Sequence, residues 1–170
     1  MDKGQVHLYW GDGKGKTTAA MGLALRALGR GKTVVILEFL KDGSSGELEP
    51  LGRLGARVLA GKTGKTFVSR MEKAEREQVA RRSEELLRQA MGGSWDLMIL
   101  DELCGARQMD VVPEALARKA VLERPEGREV VITGRRPEDW MLEAADYVTE
   151  MRCHRHPYHR GLEAREGIEY

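Results

Sequence analysis

The sequence predicts an α/β protein of three layers, with a parallel sheet of about six strands held between helices. Short runs of β-branched and large apolar residues recur at 6–10, 33–39, 57–60, 96–101, 129–133 and 147–151, and helix-like segments fall between most of them. Runs such as VVILEF and DLMILD are apolar almost throughout, the pattern of strands buried on both faces, whereas a sheet built from hairpins would alternate apolar with polar. A chain of 170 residues with 41% hydrophobic content is long enough for one substantial core and short for two, so a single domain is expected over 1–170, with 152–170 as a C-terminal tail.

The first strand, VHLYW, runs into Gly11, Asp12, Gly13, Lys14, Gly15, Lys16, Thr17 and Thr18, and a helix is predicted over 16–30. Strand, glycine loop, Lys-Thr and helix form the phosphate-loop arrangement. Glycines let successive backbone N–H groups face one anion, and the helix N-terminus adds partial positive charge. Lys16 is then placed against phosphate oxygens, and Thr17 offers its hydroxyl to Mg²⁺. Trp10 stands where the general pattern GxxxxGK[ST] has its first glycine.

The second strand, 33–39, carries Glu38 and is followed by Lys41, which reads equally as a solvated lysine or a substrate contact. A weaker helix is expected over 47–54, then the strand 57–60 and an irregular stretch at 61–69. The helix expected over 70–91 is crowded with both charge signs and keeps a narrow apolar stripe, so it reads as a solvated outer helix, with a dimer or partner face as the other reading. The strand DLMILD ends in Asp101 followed by Glu102. Acidic residues at the carboxyl end of a buried strand suit Mg²⁺, held directly or through water. After a helix expected over 111–124, the strand EVVIT delivers Thr133, Gly134, Arg135 and Arg136, and one of the two arginines could neutralise phosphate charge. Pro137 suits the first turn of a helix over 137–145. His154, His156 and His159 lack a carboxylate or cysteine pattern to complete a metal site.

With 28 Lys and Arg against 27 Asp and Glu, the net charge is +1, so no global field draws the chain to nucleic acid or membrane. No stretch reaches the ~20 apolar residues of a spanning helix, and residues 1–9 lack the apolar core of a signal peptide. Cys104 and Cys153 match neither a disulfide framework nor a CxxC site, which fits a reducing, cytoplasmic location.

Together, GDGKGKTTAA, the strand ILDE, the segment VVITGRRPEDWMLEAADYVTEM and the ending EAREGIEY resemble the ATP:corrinoid adenosyltransferases. The resemblance implies a homodimeric RecA-like fold that transfers the 5′-deoxyadenosyl group of ATP to Co(I) of a corrinoid and releases triphosphate, with Mg²⁺ and an electron from a transient reductase flavoprotein. It implies that ATP lies reversed in the loop, exposing C5′. By position, residues 11–18 would bind the phosphates, Thr17 and Glu102 would be Mg²⁺ ligands supported by Asp101, and Arg135 would reach the phosphates. Lys41 matches a family lysine in a stretch where Glu38 replaces a glutamine. Phe67 would be the aromatic wedge that displaces the lower axial ligand of the corrinoid, while Lys65 stands where some relatives carry another aromatic residue.

Two other readings compete. One is a phosphate-loop ATPase or small-molecule kinase in which Glu102 orients the attacking group. The other is a nucleotide-dependent binding module, against which the absence of a basic, aromatic strip counts.

Overall fold

The computed structural model describes residues 4–61 and 68–169. Six strands, β1 (Val6–Trp10), β2 (Val34–Glu38), β3 (Arg57–Ala60), β4 (Leu97–Asp101), β5 (Glu129–Gly134) and β6 (Tyr147–Glu150), form one sheet in the order β3-β2-β4-β5-β1-β6. Every pairing is parallel, as the α/β reading requires. Because all strands point the same way, their carboxyl ends, with the loops that follow, line one edge of the sheet.

The pleat sorts side chains between the two outer layers. Val6 and Leu8, Val35 and Leu37, Met98 and Leu100, and Val130 and Ile132 face one side. There they pack against Leu86, Leu87 and Ala90 of α3 (Lys73–Met91), Leu116 and Ala117 of α5 (Glu114–Leu122), and Trp140 and Met141 of α6 (Asp139–Ala144). The residues between them, Val34, Ile36, Leu97, Ile99 and Val131, face Ala20, Met21 and Ala24 of α1 (Lys16–Leu28) and Leu48 and Leu51 of α2 (Leu48–Arg53). Alanines at 20 and 24 leave α1 a flat face that can lie close on the sheet.

Most elements fall where the sequence places them, and the differences have local causes. Helix α1 stops at Leu28, two residues short of the expected end, because Gly29 caps it and Gly31 takes a positive φ of 71°. A 3-10 turn, Val68–Arg70, precedes α3, whose start is fixed by the Glu75 carboxylate accepting the Glu72 N–H at 2.9 Å. The buried stripe of α3, Val79, Ser83, Leu86, Leu87 and Ala90, recurs at helical spacing, as an outer helix needs. Pro137 does not open a helix: Glu138 is the N-cap and α6 begins at Asp139. A six-residue helix, α4 (Leu103–Gln108), was not expected, since it is too short to show a period and contains Gly105. Finally, β6 is an edge strand exposed along its whole length, unlike the other apolar runs. Among the described residues no helix is long and apolar enough to cross a membrane.

Candidate active site at the carboxyl edge of the sheet

Three carboxyl-end side chains sit in a row on the α1 side of the sheet. Glu38 continues the 34, 36 parity of β2, Asp101 the 97, 99 parity of β4, and Thr133 the parity of Val131 in β5. Glu38 and Asp101 are direct neighbours in the β2–β4 register. All three are fully buried. A buried carboxylate must be saturated with donors. Asp101 is: its Oδ1 accepts the hydroxyls of Thr17 (3.0 Å) and Thr133 (2.7 Å), and its Oδ2 accepts Nζ of Lys41 at 2.8 Å. Thr133 Oγ1 in turn accepts the backbone N–H of Glu102 at 2.9 Å. That bond holds Glu102, which adopts left-handed geometry (φ 62°, ψ 25°) unusual for a residue with a side chain.

The glycine loop starts one residue later than the general pattern, for a structural reason. Trp10 is still strand, paired with Gly134 and Glu150, and its ring packs against the core. The turn begins at Gly11, whose φ of 114° and whose closeness to the Met151 carbonyl exclude a side chain. A Cβ on Gly13 would lie 2.7 Å from the same carbonyl oxygen, which accepts the Gly13 N–H at 2.7 Å. The loop is thus wedged beneath the chain leaving β6. Gly15, at φ 112°, is the N-cap of α1.

The predicted site residues separate into those that converge and those that do not. Lys16 folds over its own loop, donating to the Gly13 carbonyl at 2.6 Å. Burial lowers its pKa, Glu102 opposes that, and Arg135 adds to the lowering. Glu102 is raised, first by burial and then by Asp101, against the pull of Lys41, Lys16 and Arg135. Arg135 is exposed yet close enough to act on both groups, whereas the Arg136 carbonyl is bound by Gln108 at 2.9 Å. Thr17, Lys41, Asp101, Glu102, Lys16 and Arg135 therefore meet at one edge. Asp12 and Lys14 point elsewhere: Asp12 Oδ1 accepts the Cys153 N–H at 2.9 Å, and Lys14 Nζ donates to the Ile168 carbonyl at 3.0 Å, so both tie the loop to the tail. Thr18 is exposed on the first turn of α1. Phe67 and Lys65 lie outside the described residues. His156 Nδ1 accepts the Tyr158 N–H at 3.1 Å and caps a 3-10 turn, Pro157–Arg160.

Sequence reasoning missed Thr133 as the link between Asp101 and Glu102, and Met151 as the roof of the loop. The parity of EVVIT, counted against DLMILD, could have found the first. Nothing local marks the second.

These donors suit Mg²⁺, which takes hard oxygens, keeps several waters and is bound through one or two carboxylates plus phosphate. A hydroxyl and a carboxylate stand 3.0 Å apart here with a cationic nitrogen against both. Among the described residues no group of three or more His, Cys, Asp or Glu is placed to hold a metal alone, so substrate oxygens would have to complete the shell.

Glu38 differs from Asp101. Among the described residues neither of its carboxylate oxygens completes a hydrogen bond of ordinary geometry, although the Ser45 side chain lies beside them, and Lys41 Nζ stays 3.7 Å from Oε1. Burial pushes its pKa up from 4.5 to about 7, although Lys41 pulls it down. Between those two values the folded chain binds more protons than the unfolded one, so stability from this group is complete below about pH 4.5 and is lost as pH rises through about 7. The full span is about 3 kcal/mol. Urea melts should find Glu38→Gln more stable than the parent by about 1–3 kcal/mol at pH 8, with the gap closing toward pH 4.5. An identical pH dependence in both proteins would show that Glu38 bears no such penalty. Cys104, also buried, has its thiol pushed up to about 12 by burial and then by Glu102, and it packs under Gly134 as an inert core residue.

Residues 2–170 match the family described as ATP:corrinoid adenosyltransferase BtuR/CobO/CobP. The chain is 35% identical over 173 residues to a corrinoid adenosyltransferase of Escherichia coli K12, covering 99% of this chain and 87% of that one. It is 34% identical, over the same shares, to a corrinoid adenosyltransferase of Salmonella typhimurium. A third, from Pseudomonas aeruginosa, is 32% identical over 99% of this chain and 85% of its own. With the match running through the glycine loop, the row at the sheet edge and the tail that ties back to Lys14, the chain belongs to the ATP:corrinoid adenosyltransferase family.

Proposed function

We infer that this protein transfers the 5′-deoxyadenosyl group of ATP to Co(I) of a corrinoid and releases triphosphate. Beyond family membership, the observation that supports this most is the state of Asp101. Its two oxygens already accept from Thr17, Thr133 and Lys41, so it is arranged to hold cations and hydroxyls and is not placed as a general base. Adenosyl transfer needs no general base. Co(I) supplies the electron pair that forms the Co–C5′ bond, and the C5′–O bond breaks with its pair passing to triphosphate.

What the chain must do is position C5′ and stabilise the leaving group. Residues 11–18 cradle the phosphates, chiefly through the N–H groups at the start of α1, since those of Gly11 and Gly13 are bound to the carbonyls of Gly134 and Met151, with ATP reversed so that C5′ faces outward. Lys16 leaves the Gly13 carbonyl to meet phosphate oxygens, and Arg135 approaches from the end of β5. Thr17, Asp101 and Glu102 would hold Mg²⁺, which when bound neutralises phosphate charge. Lys41, against both Thr17 and Asp101, would contact the substrate phosphates. Phe67 is the proposed wedge against the lower face of the corrinoid. We further propose a single domain with 152–170 as its tail, a homodimer, a cytoplasmic location and a flavoprotein electron donor.

A phosphotransferase reading draws on Glu102, whose raised carboxyl could orient a nucleophile toward the γ-phosphate. Spectra separate the two. Protein, Mg-ATP and chemically reduced cobalamin should yield the absorption spectrum of adenosylcobalamin, and no spectral change over the uncatalysed control would refute adenosyl transfer. Arg135→Ala should lower kcat by about 10²-fold while Arg136→Ala stays within a fewfold of the parent; equal losses would remove Arg135 from its role. Phe67→Ala should slow adenosylation that starts from Co(II) and spare transfer to supplied Co(I). Equal loss in both assays would make Phe67 structural.

A further inference from the structure

Lys41 and Glu38 together do something that holding a substrate does not explain. The Lys41 ammonium lies 2.8 Å from Asp101 Oδ2 and 3.3 Å from Thr17 Oγ1, a cation seated against the two protein groups that a phosphate-loop metal needs. Burial works most strongly against its charge, and the carboxylates of Asp101, Glu38 and Glu102 together offset it, so the ammonium sits among three acidic groups. Glu38, on the adjacent strand and fully buried, completes no hydrogen bond of ordinary geometry among the described residues: the Ser45 side chain lies beside it and the same ammonium is 3.7 Å away. A buried carboxylate left without a donor is costly. A shift of about 1 Å would bring Lys41 from Asp101 onto Glu38.

We propose that Lys41 is a tethered cation occupying the Mg²⁺ position of the nucleotide-free site, and that Glu38 is the positioning residue that receives it when Mg²⁺ enters with ATP. The proposal rests on the reading of Thr17 and Asp101 as the metal site. Its consequence is ordered loading. Free Mg²⁺ must displace a covalently attached competitor and binds weakly, whereas Mg²⁺ arriving with triphosphate brings enough additional contacts to move Lys41 aside. The lysine also keeps Asp101 neutralised in the interval, so Asp101 is not left as an uncompensated buried charge.

The test uses Mn²⁺ as the probe, with binding followed by its electron paramagnetic resonance signal, on the full chain with and without ATP. Without nucleotide, Lys41→Met should bind Mn²⁺ about tenfold more tightly than the parent, since the cation competing for the same oxygens is removed. Unchanged or weaker binding overturns the proposal. With ATP present, Glu38→Leu should bind Mn²⁺ several-fold more weakly than Glu38→Gln, whose carboxamide oxygen still accepts Lys41, and this difference should vanish when both are combined with Lys41→Met. Equal affinities of Glu38→Leu and Glu38→Gln in the presence of Lys41, or a difference that persists without it, deny Glu38 its part. Asp101→Asn separates the layers. If it leaves Mn²⁺ binding with ATP untouched, the metal-site reading falls and this proposal with it; if it weakens binding while Lys41→Met has no effect, only the proposal falls.

Discussion

Replacing Lys16 by alanine is expected to lower adenosyl transfer by at least about 10²–10³-fold, the loss typical of deleting one preorganised charge from a transition state. Triphosphate gathers negative charge as the C5′–O bond breaks, and Lys16 lies at the centre of the loop that receives it. The fold should survive. Lys16 Nζ is bonded to the carbonyl of Gly13 in its own loop, and the apolar face of α1 is carried by Ala20, Met21 and Ala24. The thermal midpoint should move by no more than an ordinary surface substitution allows, about 0.5 kcal/mol of stability. A variant that turns over like the parent would end the assignment of the loop, and one that is inactive because it is unfolded would betray itself in the same melt.

The second large effect is expected at Asp101, and here stability and activity should fail together. Alanine strands three donors at once, the hydroxyls of Thr17 and Thr133 and the Lys41 ammonium, beneath a fully buried position. Removing one member of a buried ionic network costs about 3–5 kcal/mol. The lower end is expected, because the Lys41 side chain is one-third exposed and can turn toward water. The loss reaches further, since Thr133 also holds the Glu102 N–H and with it the left-handed turn into α4. Asparagine keeps the shape and an acceptor oxygen, so Asp101→Asn should recover most of the stability while metal-dependent nucleotide affinity stays depressed. Urea melts and ATP titrations with and without Mg²⁺ resolve the two quantities. If Asn restores both together, Asp101 serves the fold alone.

Fold and site were legible to different depths. Six apolar runs gave six strands within a residue or so at each end, because a strand buried on both faces must be apolar throughout and little else in a short chain is. The edge strand β6 breaks that rule: its run of Tyr147, Val148 and Met151 marks a strand, yet the strand is exposed along its length. The helix α4 stayed hidden for a physical reason: six residues make less than two turns, and Gly105, lying close against the tip of the Leu40 side chain, weakens the helical signal within them. Within the site, the glycine loop, Asp101, Glu102 and Arg135 could be read from motifs that are local in sequence. What could not be read is long-range: Thr133 reaching across to Asp101, Lys41 folding back onto Thr17, and the Met151 carbonyl roofing the loop. Asp12 and Lys14 show the converse. Their places in the motif point to phosphate, yet their side chains fasten the loop to residues 153 and 168.

The reaction is defined by which bond of ATP is broken, and its products report that directly. Protein, Mg-ATP and a Co(I) corrinoid should release inorganic triphosphate in step with adenosylated corrinoid, seen by phosphorus NMR, with no ADP formed and no turnover when corrinoid is left out. ADP and phosphate appearing without corrinoid would contradict it, because the loop would then be presenting the γ-phosphate, and not C5′, to the attacking group.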